Sequence, residues 1–310
     1  MRQTSEALEI SMDVQERQKL IAEIAGINTE KTCECPASHL NCMTAKEWIK
    51  AQIGVWQFYY ESRDVRNKEL HPATFPISLA KRVIDLFSHK GELVLDPFVG
   101  SGTTLLAASD ANRNAIGFDL LPKYADLAAK RLTSKSLFHD SKQIVICDDA
   151  RNIPVYLKEN SIKLIFTSPP YANLLNRQRR NKSRRGAERK NGQYLKIEQY
   201  SQNPSDLGLL SMEEYSREMG KIFGALLPYM KKHSHCVINI PDMWWENKRI
   251  ALHVALIDSL KESGFELRNI IIWDRTNIVN RIGIFGWPSN YITMGVTFEY
   301  LLDFWKPPIQ

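Results

Sequence analysis

The chain has 310 residues, 44% of them hydrophobic, with 41 Lys and Arg against 35 Asp and Glu for a net charge of +6. The chain shows no repeat, long linker or compositional break, and no apolar run is long enough to span a membrane. Five cysteines without a secretory leader point to a reducing, cytoplasmic setting, and the length allows one large domain or two small ones.

Residues 14–24 read as a helix rich in Glu, Lys and Gln. Cys33, Cys35, His39 and Cys42 follow, four potential soft-metal ligands within ten residues. Their Cys-x-Cys-x3-His-x2-Cys spacing is not a common zinc-finger pattern, and one tight cluster has little chain around which to fold. They are read as reduced structural cysteines without a metal. Leu93-Val94-Leu95-Asp96 reads as a short buried strand running into Pro97-Phe98-Val99-Gly100-Ser101-Gly102-Thr103-Thr104, and the Ala-rich residues 105–109 begin a helix. Strand, glycine turn and helix form the ligand-binding corner of a doubly wound sheet. The Gly-Ser-Gly spacing is not that of a dinucleotide site, and no Gly-Lys-Ser/Thr follows to hold a triphosphate. Asp96 would repel a pyrophosphate but suits a ligand carrying an amino group and a sulfonium.

Ala115-Ile116-Gly117-Phe118-Asp119 is a second strand ending in a carboxylate, a position from which both hydroxyls of a ribose can be held. Residues 143–147 make a third, ending at Asp148-Asp149, where an acid can accept from an adenine amino group. Each acid alone reads as a surface cap; three strand-terminal acids in succession favour a nucleoside site. A further apolar run, 162–166, ends in Thr167-Ser168-Pro169-Pro170-Tyr171. Proline fixes φ and lacks an N–H, and a residue before proline is pushed toward extended geometry. The corner therefore turns carbonyl oxygens outward, to accept from a flat exocyclic amine while Tyr171 stacks on the ring that bears it. An ordinary Pro-Pro turn with a core tyrosine is the competing reading.

Just beyond lie Arg177, Arg179, Arg180, Lys182, Arg184, Arg185, Arg189 and Lys190, with Glu188 the only acid among them. That stretch is net +7, so the remainder sums to −1 against the total of +6. A basic run usually reads as a solvated loop; beside a catalytic corner it suits a clamp on phosphates, with salt-dependent, largely sequence-neutral affinity. Residues 211–230 then read as an amphipathic helix with Ser211 and Glu214 as a capping box. Residues 235–240 read as a strand, 249–263 as a helix, and 266–273 and 295–305 as closing strands. Cys147 and Cys236 fall in predicted strands and read as buried thiols. The basic insert 173–210 and the Asn-, Arg- and Gly-containing stretch 275–291 break the alternation and are the candidates for reading base edges.

Taken together, the loop from Asp96 to Thr104 and the corner from Thr167 to Tyr171 resemble those of the S-adenosylmethionine-dependent amino methyltransferases of DNA, in particular the N4-cytosine branch. His71-Pro72-Ala73-Thr74-Phe75-Pro76 and the helix-like 79–87 resemble the segment that packs over the methionine end. Residues 270–274 and 298–306 resemble the family's late strands, so spaced motifs cover roughly 45–306. Many family members carry the catalytic motif before the cofactor motif; here the order is reversed, which resembles a circular permutation of the same sheet.

The resemblance implies an α/β, Rossmann-like class I methyltransferase with a mostly parallel seven-stranded sheet, helices on both faces and one antiparallel strand near the edge. It divides the chain into an N-terminal extension, 1–44, and a catalytic domain, 45–310. S-adenosyl-L-methionine is the implied cofactor, held by Phe75, Asp96, Pro97, Phe98, Gly100, Ser101, Gly102, Thr103, Thr104, Asp119 and Asp149. Ser168, Pro169, Pro170 and Tyr171 carry the chemistry on a cytosine flipped out of double-stranded DNA. A cognate restriction endonuclease is the implied partner, in a prokaryotic cytoplasm at the nucleoid. Serine in place of Asp or Asn at the first catalytic position marks cytosine over adenine. N6-adenine methylation, an RNA methyltransferase and a non-catalytic nucleic-acid-binding protein are the other readings.

Overall fold

The computed structural model describes residues 13–65, 75–133, 140–171, 203–245, 248–278, 286–287, 291–292 and 295–308. Short β-branched runs alternate along the chain with Ala- and Leu-rich stretches at helical spacing, and this alternation builds a sheet covered by helices on both faces. The elements are α1 (Val14–Ala25), α2 (Ala45–Ala51), β1 (Val55–Gln57), α3 (Ser62–Val65), α4 (Ile77–Phe87) and β2 (Leu93–Asp96). Next come α5 (Thr103–Asp110), β3 (Asn114–Asp119), α6 (Pro122–Thr133), β4 (Gln143–Cys147), β5 (Ile162–Thr167) and α7 (Met212–Leu226). The chain closes with β6 (Met230–Ile240), α8 (Leu252–Glu262), β7 (Glu266–Asp274) and β8 (Phe298–Trp305).

The eight strands form one sheet in the order β1-β7-β8-β6-β5-β2-β3-β4. Every pairing is parallel except those of β8, which runs antiparallel to both β6 and β7. The mostly parallel α/β architecture is the expected one, but among the described residues the sheet has eight strands, not seven. The addition is β1, which pairs Val55 with Ile272 and Gln57 with Asp274 at the open edge. Three residues are too short to show a period, so β1 left no mark in the sequence.

Strands buried on both faces read as continuous apolar runs, and β2 shows why. Leu93 and Leu95 enter one core with α1, α7 and α8, whereas Val94 enters the other with α4, α5 and α6. Each such fully buried side chain contributes about 1.5–3 kcal/mol before chain entropy is counted. Helix α1 belongs to the first core through Ile24, and Arg17 reaches Asp148 at the exit of β4. Helix α7 starts at the capping box anticipated for Ser211 and Glu214. Helix α8 starts later than expected, at Leu252, because Lys248–Ile250 pairs back on Met243–Trp245 as a hairpin. Of the two thiols expected to be buried, Cys236 is, whereas Cys147 at the mouth of β4 is half-exposed.

Candidate active site

The strand order reverses between β2 and β5: the chain runs outward through β3 and β4 on one side, then returns to place β5 and β6 on the other. In open α/β sheets ligands bind at this crevice, beyond the carboxyl ends of the strands. The two motifs singled out in the sequence end these two strands. Asp96 closes β2, Thr167 closes β5, and the Thr167 hydroxyl donates to Asp96 Oδ1 at 2.5 Å in a fully buried contact. The same oxygen accepts from the Phe98 amide at 3.0 Å, so one carboxylate ties the glycine loop to the end of β5. Burial pushes the Asp96 carboxyl up to about 6, against the pull of these hydrogen bonds.

The loop that follows is held from three directions. Val99 donates its N–H to the Phe118 carbonyl at 2.7 Å, laying its side chain over β3. A Cβ on Gly117 would come within 2.5 Å of Val99 Cγ2, so the glycine inside that strand makes room for the loop. Gly102 has φ +83, and a Cβ there would lie 2.9 Å from that of Ala128 on α6; conformation and packing both demand glycine. Beneath the loop, the buried Arg131 of α6 donates to the Ser101 carbonyl at 2.5 Å and to its hydroxyl at 2.9 Å. The first turn of α5 has no side-chain cap at Gly102, which leaves its amides for an anionic group.

Asp119 closes β3 and accepts from the amides of Gly100 at 3.0 Å and Leu121 at 2.9 Å. Burial pushes its carboxyl up to about 7, with Asp96 and Asp206 adding like charge. Beyond β4 the two acids divide their work. Asp148 is structural, accepting from Tyr156 Oη at 2.5 Å and Asn152 Nδ2 at 2.8 Å as well as from Arg17. Asp149 lines the cleft while capping the turn at Arg151, whose guanidinium it pairs at 2.8 Å.

These groups surround a cleft that opens to solvent. Of the anticipated cofactor residues, Phe75, Asp96, Pro97, Phe98, Gly100, Ser101, Thr103, Asp119 and Asp149 line it, and Ser168, Pro169 and Pro170 line its far side. Gly102 and Thr104 do not: the first turns the chain into α5, and the second is fully buried behind the loop. Phe75 is held against Phe166 of β5 at 5.3 Å between ring centroids. Asp64 fixes the approach to this wall, accepting from the Ile77 amide at 3.0 Å. Tyr171 does not line the cleft; its hydroxyl lies 3.3 Å from Ser168 Oγ and its ring packs partly against the core.

Sequence reasoning missed Tyr124, Leu121, Asp206 and Leu207, which complete the wall near Asp119. Leu121 and Tyr124 follow Asp119 so closely that the strand-turn-helix pattern itself could have suggested them. Nothing local announces Asp206, which sits in a stretch read as part of the basic insert. It caps the turn Leu207–Leu209 by accepting from the Gly208 amide. A second polar cluster lies at the ends of β6 and β8. There the buried Glu299 accepts from Asn239 at 2.7 Å and pairs with Arg275. The basic residues 177–190, the continuation to 202 and most of 279–290 lie outside the described residues. No helix among the described residues is long and apolar enough to cross a membrane.

A family model described as DNA methylase matches residues 8–130 and 162–310, most of the chain. Among curated proteins, the Type II methyltransferase M.BglI of Bacillus subtilis is 43% identical over 93 residues, 30% of this chain and 26% of that protein. M.HpaI of Haemophilus parainfluenzae, also a Type II methyltransferase, is 35% identical over 113 residues, 36% of either chain. The matched segments thus span between about a quarter and a third of these relatives' lengths. Among solved structures, TrmN from Thermus thermophilus superposes with a TM-score of 0.47 at 16% identity, covering 78% of this chain and 53% of that one.

Proposed function

The chain belongs to the DNA methylase family, and we propose that it transfers a methyl group from S-adenosylmethionine to the exocyclic N4 amino group of a cytosine in DNA. The observation that carries this reading is the junction of the two motifs: Ser168 and Asp96 face one cleft, joined by the buried Thr167–Asp96 hydrogen bond. The donor set fits the cofactor. Carboxylates at Asp96, Asp119 and Asp149 suit the amino and sulfonium charges, the ribose hydroxyls and the adenine amine, and Phe75 and Phe98 supply apolar walls. The uncapped amides of α5 suit a carboxylate. When bound, S-adenosylmethionine supplies an electrophilic methyl on a sulfonium leaving group.

The remaining work falls to this chain's own groups. The cytosine amine is a poor nucleophile because its lone pair is delocalised into the ring. Ser168 Oγ and the Pro169 carbonyl accept its two hydrogens and aim the lone pair, so catalysis rests on orientation and electrostatics. Tyr171 supports Ser168 through its hydroxyl, while its ring stands partly against the core and not in the cleft that would receive the flipped base. Serine at position 168, neutral and short, supports cytosine over adenine. The basic residues from Arg177 to Lys190 clamp the DNA phosphates. The Type II designation of the relatives supports a modification role beside a cognate endonuclease. The order of the two motifs is a circular permutation relative to family members that carry the catalytic motif first.

Incubation with labelled S-adenosylmethionine and assorted DNA and RNA, followed by digestion to nucleosides, tests this. Label is expected in N4-methyldeoxycytidine. Label in N6-methyladenine, or only in RNA, overturns the base or polymer assignment; binding without any label overturns the enzyme.

A further inference from the structure

At the end of β2 opposite Asp96, the three clustered cysteines of the N-terminal segment meet a histidine, but not the one near them in sequence. Sγ of Cys33 lies 3.3 Å from Nδ1 of His89, and Sγ of Cys42 lies 3.4 Å from the same nitrogen. The two sulfurs are 3.3 Å apart. With Cys35, all four ligand atoms fall within 4.8 Å of one another. A tetrahedral zinc ion with bonds of about 2.3 Å to sulfur and about 2.0 Å to nitrogen needs ligand atoms roughly 3.5–3.8 Å apart. The observed separations lie close to that spacing. They are too long for a disulfide, whose sulfurs sit about 2.0 Å apart.

We propose that Cys33, Cys35, Cys42 and His89 bind one structural zinc ion. All three cysteines are half-exposed, so core packing does not account for their convergence, and free thiols so placed would be open to oxidation. Three thiolates and one imidazole are a soft donor set of the zinc type. Four protein ligands leave no open position, which makes the site a clip and not a catalytic centre.

The backbone around it is organised to present these atoms. Leu40 and Met43 exchange hydrogen bonds at 2.9 and 2.8 Å. Between them, Asn41 and Cys42 have φ of 47° and 75°, a conformation L side chains seldom adopt. Asn41 donates to the Leu86 carbonyl at 2.6 Å, seating the turn on the C-terminal end of α4. His89 is held by its own amide, which donates to Glu92 at 2.6 Å. Alongside, the Thr32 amide donates to the Lys90 carbonyl at 2.8 Å. A Cβ on Gly91 would meet the Thr32 side chain at 2.5 Å, so the cysteine segment crosses directly over this turn. His39 is not part of the cluster. The fourth ligand comes from 47 residues beyond Cys42, and the ion would fasten the N-terminal segment to the entry of β2.

The test is metal analysis of the full chain purified without chelator, by elemental and native mass spectrometry. One zinc per chain is expected. The reduced, metal-free protein reloaded with cobalt(II) should show thiolate-to-metal charge transfer and the intense visible bands of a tetrahedral site. His89→Ala should lower zinc affinity at least about tenfold, His89→Cys should restore it, and His39→Ala should leave it unchanged. The inference fails if wild-type protein holds no zinc and gives no tetrahedral cobalt spectrum. It fails equally if His39→Ala releases the metal, or if purified protein carries a Cys33–Cys42 disulfide. The wild-type measurements stand whether or not a variant folds.

Discussion

At its carboxyl end β2 delivers Asp96 into a cleft walled by consecutive strand exits. At its amino end the turn before Leu93 presents His89 to three cysteines from a segment 47 or more residues upstream. The first site is assembled from loops that each follow their own strand, so its parts stand in short, readable motifs. The second joins two distant segments, and nothing in the spacing of the cysteines points to its fourth member, so the sequence is read there as carrying no metal. Sites at strand ends are encoded locally, whereas sites that clip segments together are encoded in the fold.

The largest predicted effect tests the carboxyl end. Ser168→Ala should slow methyl transfer by about 10²-fold or more, the scale of a lost acceptor or donor at a reacting centre, with little change in cofactor affinity. Collapse of cofactor affinity instead would move Ser168 out of the base-facing role. One layer further in, Arg131→Met strips charge-assisted bonds from Ser101. We expect a loss of about 1.5–3 kcal/mol in stability by denaturant unfolding and weaker cofactor binding by titration calorimetry. An unchanged affinity would mean that the loop holds its shape without this support.

Acidity should pick out the two cleft acids that burial raises, Asp119 and Asp96. Without ligand, burial keeps the Asp119 carboxyl protonated up to about 7. Below that pH, cofactor binding must expel a proton before the carboxylate can receive the ribose hydroxyls. Affinity should therefore fall as pH drops, by up to about tenfold per unit, and level off above 7. Asp119→Asn should flatten that profile; a profile still steep would assign the titration to Asp96, raised to about 6. The smallest effect is expected from the amino end. Removing zinc with a chelator should lower the melting temperature but change cofactor affinity by less than about twofold, as for independent distant sites. A larger change would show that the two ends of β2 are coupled and would break the comparison.

Much of the cleft could be read before folding. Glycine at 102 is demanded by a positive φ, acids at 96, 119 and 149 by the exits of parallel strands, and the Ser211 cap by the orphan amides of α7. Thr104 was misread because a residue in the first turn of a helix faces whichever neighbour the packing supplies, here the core. Seven strands were expected because the eighth, β1, is recognisable only through its register with β7.

What the chain by itself determined is therefore the set of local constraints: glycine loop, proline corner, strand-terminal carboxylates and helix caps. Each reports a backbone geometry or an unsatisfied hydrogen-bonding group within a few residues of itself. Only the tertiary structure decided that Thr167 bonds to Asp96 across the switch point, that Arg131 lies under the glycine loop, that Asp206 closes the wall and that His89 joins the cysteines. Those partners are chosen by the order of strands in the sheet and the faces their helices bury. Neither order nor face leaves a period or spacing at the residues it brings together.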